Sequence, residues 1–180
     1  AQYPISDADM LMCDNPSALL LPGQKLVSSL KQAGGKVVIN CGWSLQDVER
    51  TLTDDVKSAL AHKQAELYLI DATGIATSCG AAASSSSWVL QAVLMLLCES
   101  GSMSYSQAYP HLCSLVKERM ESVQVANRIC EALKEDALHS KVTKAAYQAS
   151  KWMSAAPYSD SEQTQVLIPV HMTKKKQDTK

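Results

Sequence analysis

The residues best suited to chemistry in this sequence follow two short apolar segments, at positions 37–39 and 67–70. Asn40 to Ser44, NCGWS, come after the first segment, and Asp71 to Thr73, DAT, come after the second. In open parallel sheets, ligands bind at the carboxyl ends of the strands. If both segments are strands of one such sheet, the two polar loops share a rim, and we expect any ligand-binding chemistry there.

Residues 36–76 have the pattern of one β-α-β unit. The continuous β-branched run VVI at 37–39 is typical of a strand covered on both faces, and LYLI at 67–70 forms a second. Between them, apolar residues recur every four positions, as in an amphipathic helix that Ser44 would cap: Val48, Leu52, Val56 and Leu60. A second capping signal within residues 51–55 leaves open one helix or two, with a break near Thr53.

The rest of the sequence extends this alternation and then becomes helical. Upstream, we predict a strand over residues 8–13, a short helix from Ser17, and a helix over residues 24–33 that Gly34 and Gly35 end. Downstream, we predict one or two helical turns over residues 73–79 and then longer helices over residues 88–99, 105–120, 122–138 and 141–153. Residues 165–170, QVLIPV, suit an edge strand or a docking strand for another domain.

These elements predict an α/β fold, with a parallel sheet of Rossmann-like β-α-β units covered by helices and a helical C-terminal half. We expect a single domain over residues 1–160 and an extended C-terminal tail over residues 161–180. Residues 80–87, GAAASSSS, have two interpretations: a flexible loop, which the composition favours, or a helix start whose hydroxyls and amides face a phosphate.

Composition excludes several classes of partner and site. Lys and Arg total 17 against 18 Asp and Glu, so no overall field attracts nucleic acid or anionic lipid. The longest apolar run is about half a membrane span, so we expect no membrane span. The six cysteines lack the paired spacing of zinc or iron–sulfur ligands, so we expect no cluster in this chain. Cysteines in apolar patterns suggest a reducing, intracellular compartment, mitochondrial or cytoplasmic.

Two parts of the sequence resemble a known family. Residues 8–17 are similar to a segment of the type A-D-x-x-x-C-H-N-P-S. Residues 38–76 are similar to a second segment, in which a strand is followed by the motif N-x-x-W-S, a helix, another strand and the motif I-D-A-x-x-I-A. The matching residues include Val38-Ile39-Asn40, Trp43-Ser44, Ile70-Asp71-Ala72 and Ile75-Ala76. This pattern resembles the γ domain of pyruvate:ferredoxin oxidoreductases and related 2-oxoacid oxidoreductases.

The resemblance implies a role for this chain. In that family, a Rossmann-like γ domain helps to hold coenzyme A against a catalytic core, and the thiamine diphosphate and iron–sulfur clusters are on partner domains. By position, the implied coenzyme A residues are Asn15, Ser17, Trp43, Ser44 and Asp71. Each also has a structural interpretation: Asn15 as a turn residue, Ser44 and Asp71 as helix caps, and Trp43 as packing on the rim.

Three hypotheses for function remain open at this stage. The first is a γ-like domain or subunit that forms the coenzyme A side of the cleft in a larger oxidoreductase and is not catalytic alone. The second is a degenerate γ-like domain that acts as a structural subunit of a larger complex. It is favoured because the family's Gly-rich first unit and a later Arg have no counterpart in AQYPISD or in residues 80–87. The third, a free-standing enzyme using Cys41 with His62 or His111, is the weakest.

Overall fold

The computed structural model describes residues 7–20, 26–98 and 103–154. Its centre is a sheet of four strands in the spatial order β1-β2-β3-β4: β1 (Met10–Cys13), β2 (Lys36–Asn40), β3 (Glu66–Ile70) and β4 (Thr143–Ala145). The first three strands are parallel, and β4 is antiparallel to β3. In the register of β2 and β3, Val38 pairs with Tyr68 and Asn40 with Ile70. The two strands therefore end side by side.

Helices connect and cover the strands. Their bounds are α1 (Ser17–Leu20), α2 (Leu45–Thr51), α3 (Asp54–His62), α4 (Ala72–Ser78), α5 (Ser86–Leu97), α6 (Tyr105–Arg119), α7 (Val123–Ala132), α8 (Glu135–His139) and α9 (Ala149–Met153). Two short 3-10 helices, Leu26–Ser29 and Ala83–Ser85, lie before β2 and before α5.

Alternation along the central strands divides the core into two layers. Val37 and Ile39 face one layer of helices, formed by α1, α2, α3 and α9. Val38 and Ile70 face the other layer, formed by α4 to α8. Because both faces of β2 and β3 are covered, their sequences are continuously apolar rather than alternating. The predicted α/β class, with a mostly parallel sheet and a helical C-terminal half, is confirmed.

The region between β2 and β3 contains two helices, which settles the choice that the sequence left open. Ser44 Oγ accepts from the Asp47 amide and the Asp47 carboxylate accepts from the Ser44 amide, which is a capping box at the start of α2. Thr53 Oγ1 then accepts from the Val56 amide at the start of α3, at 3.4 Å. The second cap starts a new helix, so the break lies where the capping signal predicted it.

Three helix predictions are wrong in extent or type. Of the helix predicted over residues 24–33, the described part, residues 26–33, has only the 3-10 helix Leu26–Ser29, since Leu30 forms a parallel bridge with Ala8 instead. The predicted helix over 122–138 divides into α7 and α8 around Leu133. The predicted helix over 141–153 is the strand β4 followed by α9.

The strand β4 forms because β3 has an open edge. Its backbone pairs Ala145 with Leu67 and Thr143 with Leu69. This pairing satisfies strand amides and carbonyls that helix formation at 141–153 would leave unpaired. The residue 160 boundary, the predicted tail 161–180 and the segment 165–170 lie outside the described residues.

The helix α9 returns the chain to the first layer. Trp152 is 2% exposed, stacks on Tyr147 with ring centroids 4.2 Å apart, and donates from Nε1 to Glu49 Oε2 at 2.8 Å. Tyr147 Oη donates to the Ala65 carbonyl at 2.6 Å and the Leu60 carbonyl at 3.1 Å. The end of the described chain is thus fixed against α2 and α3.

Candidate functional site

The side chain of Asn40 connects the carboxyl ends of three parallel strands. Its Nδ2 donates to Asp14 Oδ1, after β1, at 2.9 Å and to Thr73 Oγ1, after β3, at 3.0 Å. Its Oδ1 accepts from the Ala72 amide at 2.9 Å and the Thr73 amide at 3.3 Å. Asn40 is 7% exposed, and its amide group makes four hydrogen bonds. It therefore fixes the loops after β1 and β3 relative to the end of β2.

A cleft of about 550 Å³ opens on this rim. Its floor is formed by Asn40 and Thr73, and one wall by Asp14, Asn15 and Pro16. The other wall is formed by the 3-10 helix Ala83–Ser85 and the start of α5, with these residues: Ala83, Ser84, Ser86 and Ser87. The cleft lies at the strand ends where the sequence predicts ligand binding, which stays a prediction, and it is lined mainly by amide, hydroxyl and carboxylate groups.

A tight turn places α5 over the rim. Gly80 has φ +83°, and its amide donates to the Thr77 carbonyl at 2.9 Å while the Ala81 amide donates to the Ala76 carbonyl at 3.1 Å. This pair of bonds is a Schellman motif, which ends α4 and requires a residue in the left-handed conformation. The chain then forms the 3-10 helix Ala83–Ser85 and enters α5. Of residues 80–87, for which the sequence favours a loop, residues 80–82 form the turn, whereas residues 83–87 are helical, so the loop interpretation is wrong for these five.

Asn15 is the one predicted site residue that lines this cleft. Its Oδ1 accepts from the Ser17 amide at 2.9 Å, so it also orders the start of α1, as its structural interpretation stated. Asn15 is exposed. Ser17 is the first residue of α1, is exposed, and is not part of the cleft wall.

Trp43 and Ser44 lie beside the cleft rather than in its wall. Trp43 is half-buried and packs against the first core layer. Ser44 is exposed and caps α2 through the Asp47 amide. The structural interpretations of both residues are therefore confirmed, while a role for either in coenzyme A binding stays a prediction.

Asp71 opens onto a neighbouring groove of about 340 Å³, which Lys141 also lines. Its Oδ1 accepts from the Gly74 amide at 2.7 Å and caps α4. A Cβ on Gly74 would clash with Asp71 Oδ2, so the capping carboxylate occupies the space of a side chain at that position. The five predicted residues thus do not form one cluster, and Asp71 stays a prediction for an adjacent surface.

The sequence placed Asn40 and Thr73 on the rim without assigning them to the site, and it did not single out Asp14 or Ser86. The position of Asn40 at the end of a buried strand was the available signal. A polar side chain at the end of a fully buried strand must find partners nearby, because burying it unpaired costs free energy. Its partners come from other loops, which the sequence pattern does not identify.

Cys41 also lies on the rim and is half-buried. Burial raises the pKa of the Cys41 thiol, and the Trp43 backbone only partly offsets this. The thiolate needed for nucleophilic chemistry is therefore disfavoured. His62 is the last residue of α3, four positions before β3 begins, so it lies at the opposite end of the sheet from the rim. The geometry gives no support to catalysis by Cys41 with His62.

Within residues 7–20, 26–98 and 103–154, no group of three or more His, Cys, Asp or Glu side chains is arranged to hold a metal ion. In the same ranges, no single helix has the length and hydropathy to cross a bilayer. One pair bent by 119°, Ala72–Ser78 with Ala83–Leu97, reaches that threshold by length and composition only.

Comparison with known proteins follows the resemblance noted in the sequence. No protein-family model matches the chain. Over 78 residues it is 35% identical to pyruvate:ferredoxin oxidoreductase from Moorella thermoacetica, a stretch that covers 43% of this chain and 6% of that protein. The fold is similar to that of the pyruvate oxidoreductase subunit PORC from Thermotoga maritima, with a TM-score of 0.53, 13% identity, and coverage of 81% of this chain and 70% of the other.

At 13% identity, the structural likeness shows the fold alone. The sequence match is confined to one part of a much longer relative. Together, the two comparisons and the motifs at residues 8–17 and 38–76 confirm the resemblance: the chain is similar in sequence to a part of pyruvate:ferredoxin oxidoreductase and in fold to the PORC subunit of pyruvate oxidoreductase.

Proposed function

We propose that this chain is the γ-like domain or subunit of a pyruvate or other 2-oxoacid oxidoreductase, and that its strand-end rim forms the coenzyme A side of the catalytic cleft. The observation that carries the proposal is the 550 Å³ cleft, held open between α5 and three strand ends that Asn40 connects. The similarity to PORC in fold and to the longer oxidoreductase in sequence supports the choice of enzyme class.

The described residues that line the cleft offer groups suited to binding. Its hydroxyl and amide groups can donate to phosphate oxygens, and the Asp14 carboxylate can accept from a sugar hydroxyl. The redox chemistry would come from thiamine diphosphate and iron–sulfur clusters on partner domains, so this chain would not be catalytic alone. In this proposal the complete enzyme works in a reducing intracellular compartment.

A degenerate structural subunit is the second candidate, and two observations favour it. Asn15, Ser44 and Asp71 already cap or order their own helices. In addition, no Lys or Arg is among the described residues that line the cleft. A ligand in this cleft would therefore depend on neutral donors and on the helix, or on cations from a partner domain.

One experiment separates the two candidates. The chain is purified gently with its partners, and native mass spectrometry identifies the proteins and cofactors in the assembly. Recovery with a protein that holds thiamine diphosphate and iron–sulfur clusters, together with calorimetric binding of coenzyme A, is the expected result. An assembly that carries those cofactors but binds no coenzyme A through this chain would support the structural subunit instead. Recovery without those cofactors would refute the oxidoreductase role.

A further inference from the structure

A further cavity, of about 440 Å³, lies between α6 and α7. Its lining contains two thiols, Cys113 of α6 and Cys130 of α7, and the ammonium group of Lys117. None of the described residues that line this cavity also lines the cleft at the strand ends. The cavity is therefore a separate place in the fold where two side chains with an affinity for metal ions meet.

The packing of α6 on α7 brings the two thiols together. Cys130 Sγ donates to the Cys113 carbonyl at 3.8 Å, and Tyr109 Oη donates to the Cys130 carbonyl at 2.9 Å. These contacts cross the helix interface in both directions, so they fix α6 against α7 at this point. Cys113 is 8% exposed and Cys130 is 5% exposed. Both residues are thus buried in the helix interface and still border an open cavity.

The protonation of this pair determines which chemistry it favours. Burial raises the pKa of the Cys130 thiol to about 12, and the neighbouring Cys113 side chain adds to the increase. Attack on a peroxide or a disulfide needs a thiolate, so oxidation of Cys130 is disfavoured at neutral pH. A metal ion that binds strongly to sulfur displaces the thiol proton when it is coordinated. Two adjacent buried thiols therefore suit a soft cation better than redox exchange.

The number of ligands restricts which cation fits. Within residues 7–20, 26–98 and 103–154, no group of three or more His, Cys, Asp or Glu side chains is arranged to hold a metal ion. Zinc needs at least three such ligands from the protein, so the cavity does not suit it. Cu(I) is a soft ion with a filled d shell that accepts two thiolate ligands in a linear arrangement. The pair of thiols matches that requirement.

The charges beside the thiols favour the bound form. Coordination by both thiols releases two protons to solvent and turns the cation into a complex with one negative charge. Lys117 lines the same cavity, and its charge acts on Cys130 in the direction that favours the thiolate. The carboxylate of Glu131, which also lines the cavity, is paired with Lys134 at 2.6 Å, so its charge is partly compensated. Lys117 is thus placed to balance the charge of the complex.

We propose that Cys113 and Cys130 bind one Cu(I) ion as two thiolates, with Lys117 balancing the charge of the complex. The site is independent of the coenzyme A function proposed above, because it uses other helices and other residues. The two cysteines are 17 residues apart and meet through the packing of α6 on α7. Local cysteine spacing therefore gives no sign of the site.

The test measures Cu(I) binding without oxygen and with a reductant present. Copper is distributed between the 180-residue chain and bathocuproine disulfonate, a chelator whose Cu(I) complex absorbs visible light. The wild type should hold one Cu(I) per chain against the chelator. Cys113→Ser and Cys130→Ser should each weaken Cu(I) binding at least about a hundredfold, because each removes one of the two ligands.

Two other cysteines provide matched controls. Cys98 is exposed at the end of α5, and Cys41 is half-buried on the strand-end rim, so neither lines the cavity. Cys98→Ser and Cys41→Ser should bind Cu(I) as tightly as the wild type. They separate a specific pair of ligands from a general affinity of thiols for copper.

Two measurements keep the test decisive if Cys113→Ser and Cys130→Ser do not fold. X-ray absorption at the copper edge of the loaded wild type should show two sulfur neighbours and no nitrogen or oxygen neighbour. Lys117→Gln, at an exposed position, should keep one Cu(I) per chain and weaken its binding about threefold, since solvent screens an exposed charge. Lys141→Gln removes the same charge beside another groove and should leave Cu(I) binding unchanged.

The outcomes either support the copper site or refute it. Loss of tight Cu(I) binding in Cys113→Ser and Cys130→Ser, with tight binding kept in Cys98→Ser and Cys41→Ser, supports it. Cu(I) binding that survives in either of the first two variants, or that is lost in Cys41→Ser, refutes it. A wild type that holds no Cu(I) against the chelator, or a copper spectrum with a nitrogen or oxygen neighbour, also refutes it. None of these results bears on coenzyme A binding.

Discussion

Replacing Asn40 by Asp tests whether one side chain holds the rim together. The substitution preserves shape and preserves the oxygen that accepts from the Ala72 and Thr73 amides. It removes the amide nitrogen that donates to Asp14 Oδ1 at 2.9 Å and to Thr73 Oγ1 at 3.0 Å. The introduced carboxylate therefore faces the Asp14 carboxylate at hydrogen-bonding distance, at a position that is only 7% exposed in the wild type.

The expected cost follows from this arrangement. Two carboxylates at about 3 Å cannot both remain ionised, so one of them must hold a proton in the folded state. A carboxyl group with an ordinary pKa of about 4 loses its proton at pH 7. Keeping that proton costs about 1.4 kcal/mol for each pH unit above the pKa, or about 4 kcal/mol in total. The shared proton restores one hydrogen bond, and rearrangement around Thr73 adds about 1 kcal/mol. We expect Asn40→Asp to lower the free energy of unfolding by about 4 to 5 kcal/mol at pH 7, a large part of a typical total.

The direction in which the stability of Asn40→Asp changes with pH is the decisive test. In the variant, the folded state holds a proton that the unfolded state releases above pH 4, so stability falls as pH rises and returns as pH falls. The loss should shrink by about 1.4 kcal/mol per pH unit and approach about 1 kcal/mol near pH 4.5. Urea denaturation followed by circular dichroism between pH 4.5 and 7.5, referenced to the wild type at each pH, measures this.

Exchanging the two side chains provides the control. In the double variant Asp14→Asn with Asn40→Asp, an amide again faces a carboxylate, and most of the lost stability should return at pH 7. Asn127→Asp, at an exposed position of α7, should change stability by less than about 0.5 kcal/mol. Equal stability of Asn40→Asp and the wild type at pH 7, or no recovery in the exchanged pair, would refute the role assigned to Asn40.

Three further predictions concern the elements that support the rim. Trp152→Ala should cost about 3 to 5 kcal/mol in urea denaturation, because Trp152 is 2% exposed and stacks on Tyr147; a loss below about 1 kcal/mol would contradict the docking of α9. Hydrogen bonds from Lys151 and then Trp152 lower the pKa of Glu49, so its stabilising contribution is present above pH 4.5 and is lost as pH falls further. Glu49→Gln should therefore be less stable than the wild type by up to about 1 kcal/mol at pH 7, with the difference closing below pH 4; a difference independent of pH would exclude the ion pair as its cause. Gly80→Ala should cost about 1 kcal/mol in the same assay through its φ of +83° alone, since an added Cβ would come no closer than 3.5 Å to another side chain; an unchanged stability would argue against the left-handed turn.

The sequence predicted those parts of the fold whose causes are local. The strands β2 and β3 match apolar runs of β-branched and aliphatic residues, and the boundary between α2 and α3 follows from the cap at Thr53. A cap or an apolar run acts within a few residues of itself, so its signal is visible in the sequence. The same runs predicted that the loops after β2 and β3 lie at one edge of the sheet, which the structure confirms, because parallel strands that end together bring their following loops together.

Other features required partners that are distant in the chain. The segment at 141–153 has a helical pattern, yet β4 forms because its backbone meets the open edge of β3, and Lys144 pairs with Glu66 across a separation of 78 residues. Whether such a segment forms a helix or a strand depends on which hydrogen-bonding groups are available in the folded molecule. Local propensity does not include those distant groups.

The candidate site shows the same division. The sequence by itself determined that polar residues follow β2 and β3 and that hydroxyl-rich residues precede an apolar helix. Only the tertiary structure decided that Asn40 binds Asp14 and Thr73, from 26 and 33 residues away, and that the start of α5 forms the second wall of the cleft. It also decided that Asp71 faces a different groove. The physical reason is that secondary structure depends on periodicity and capping along the chain, whereas a site depends on which loops the packed sheet brings within hydrogen-bonding distance.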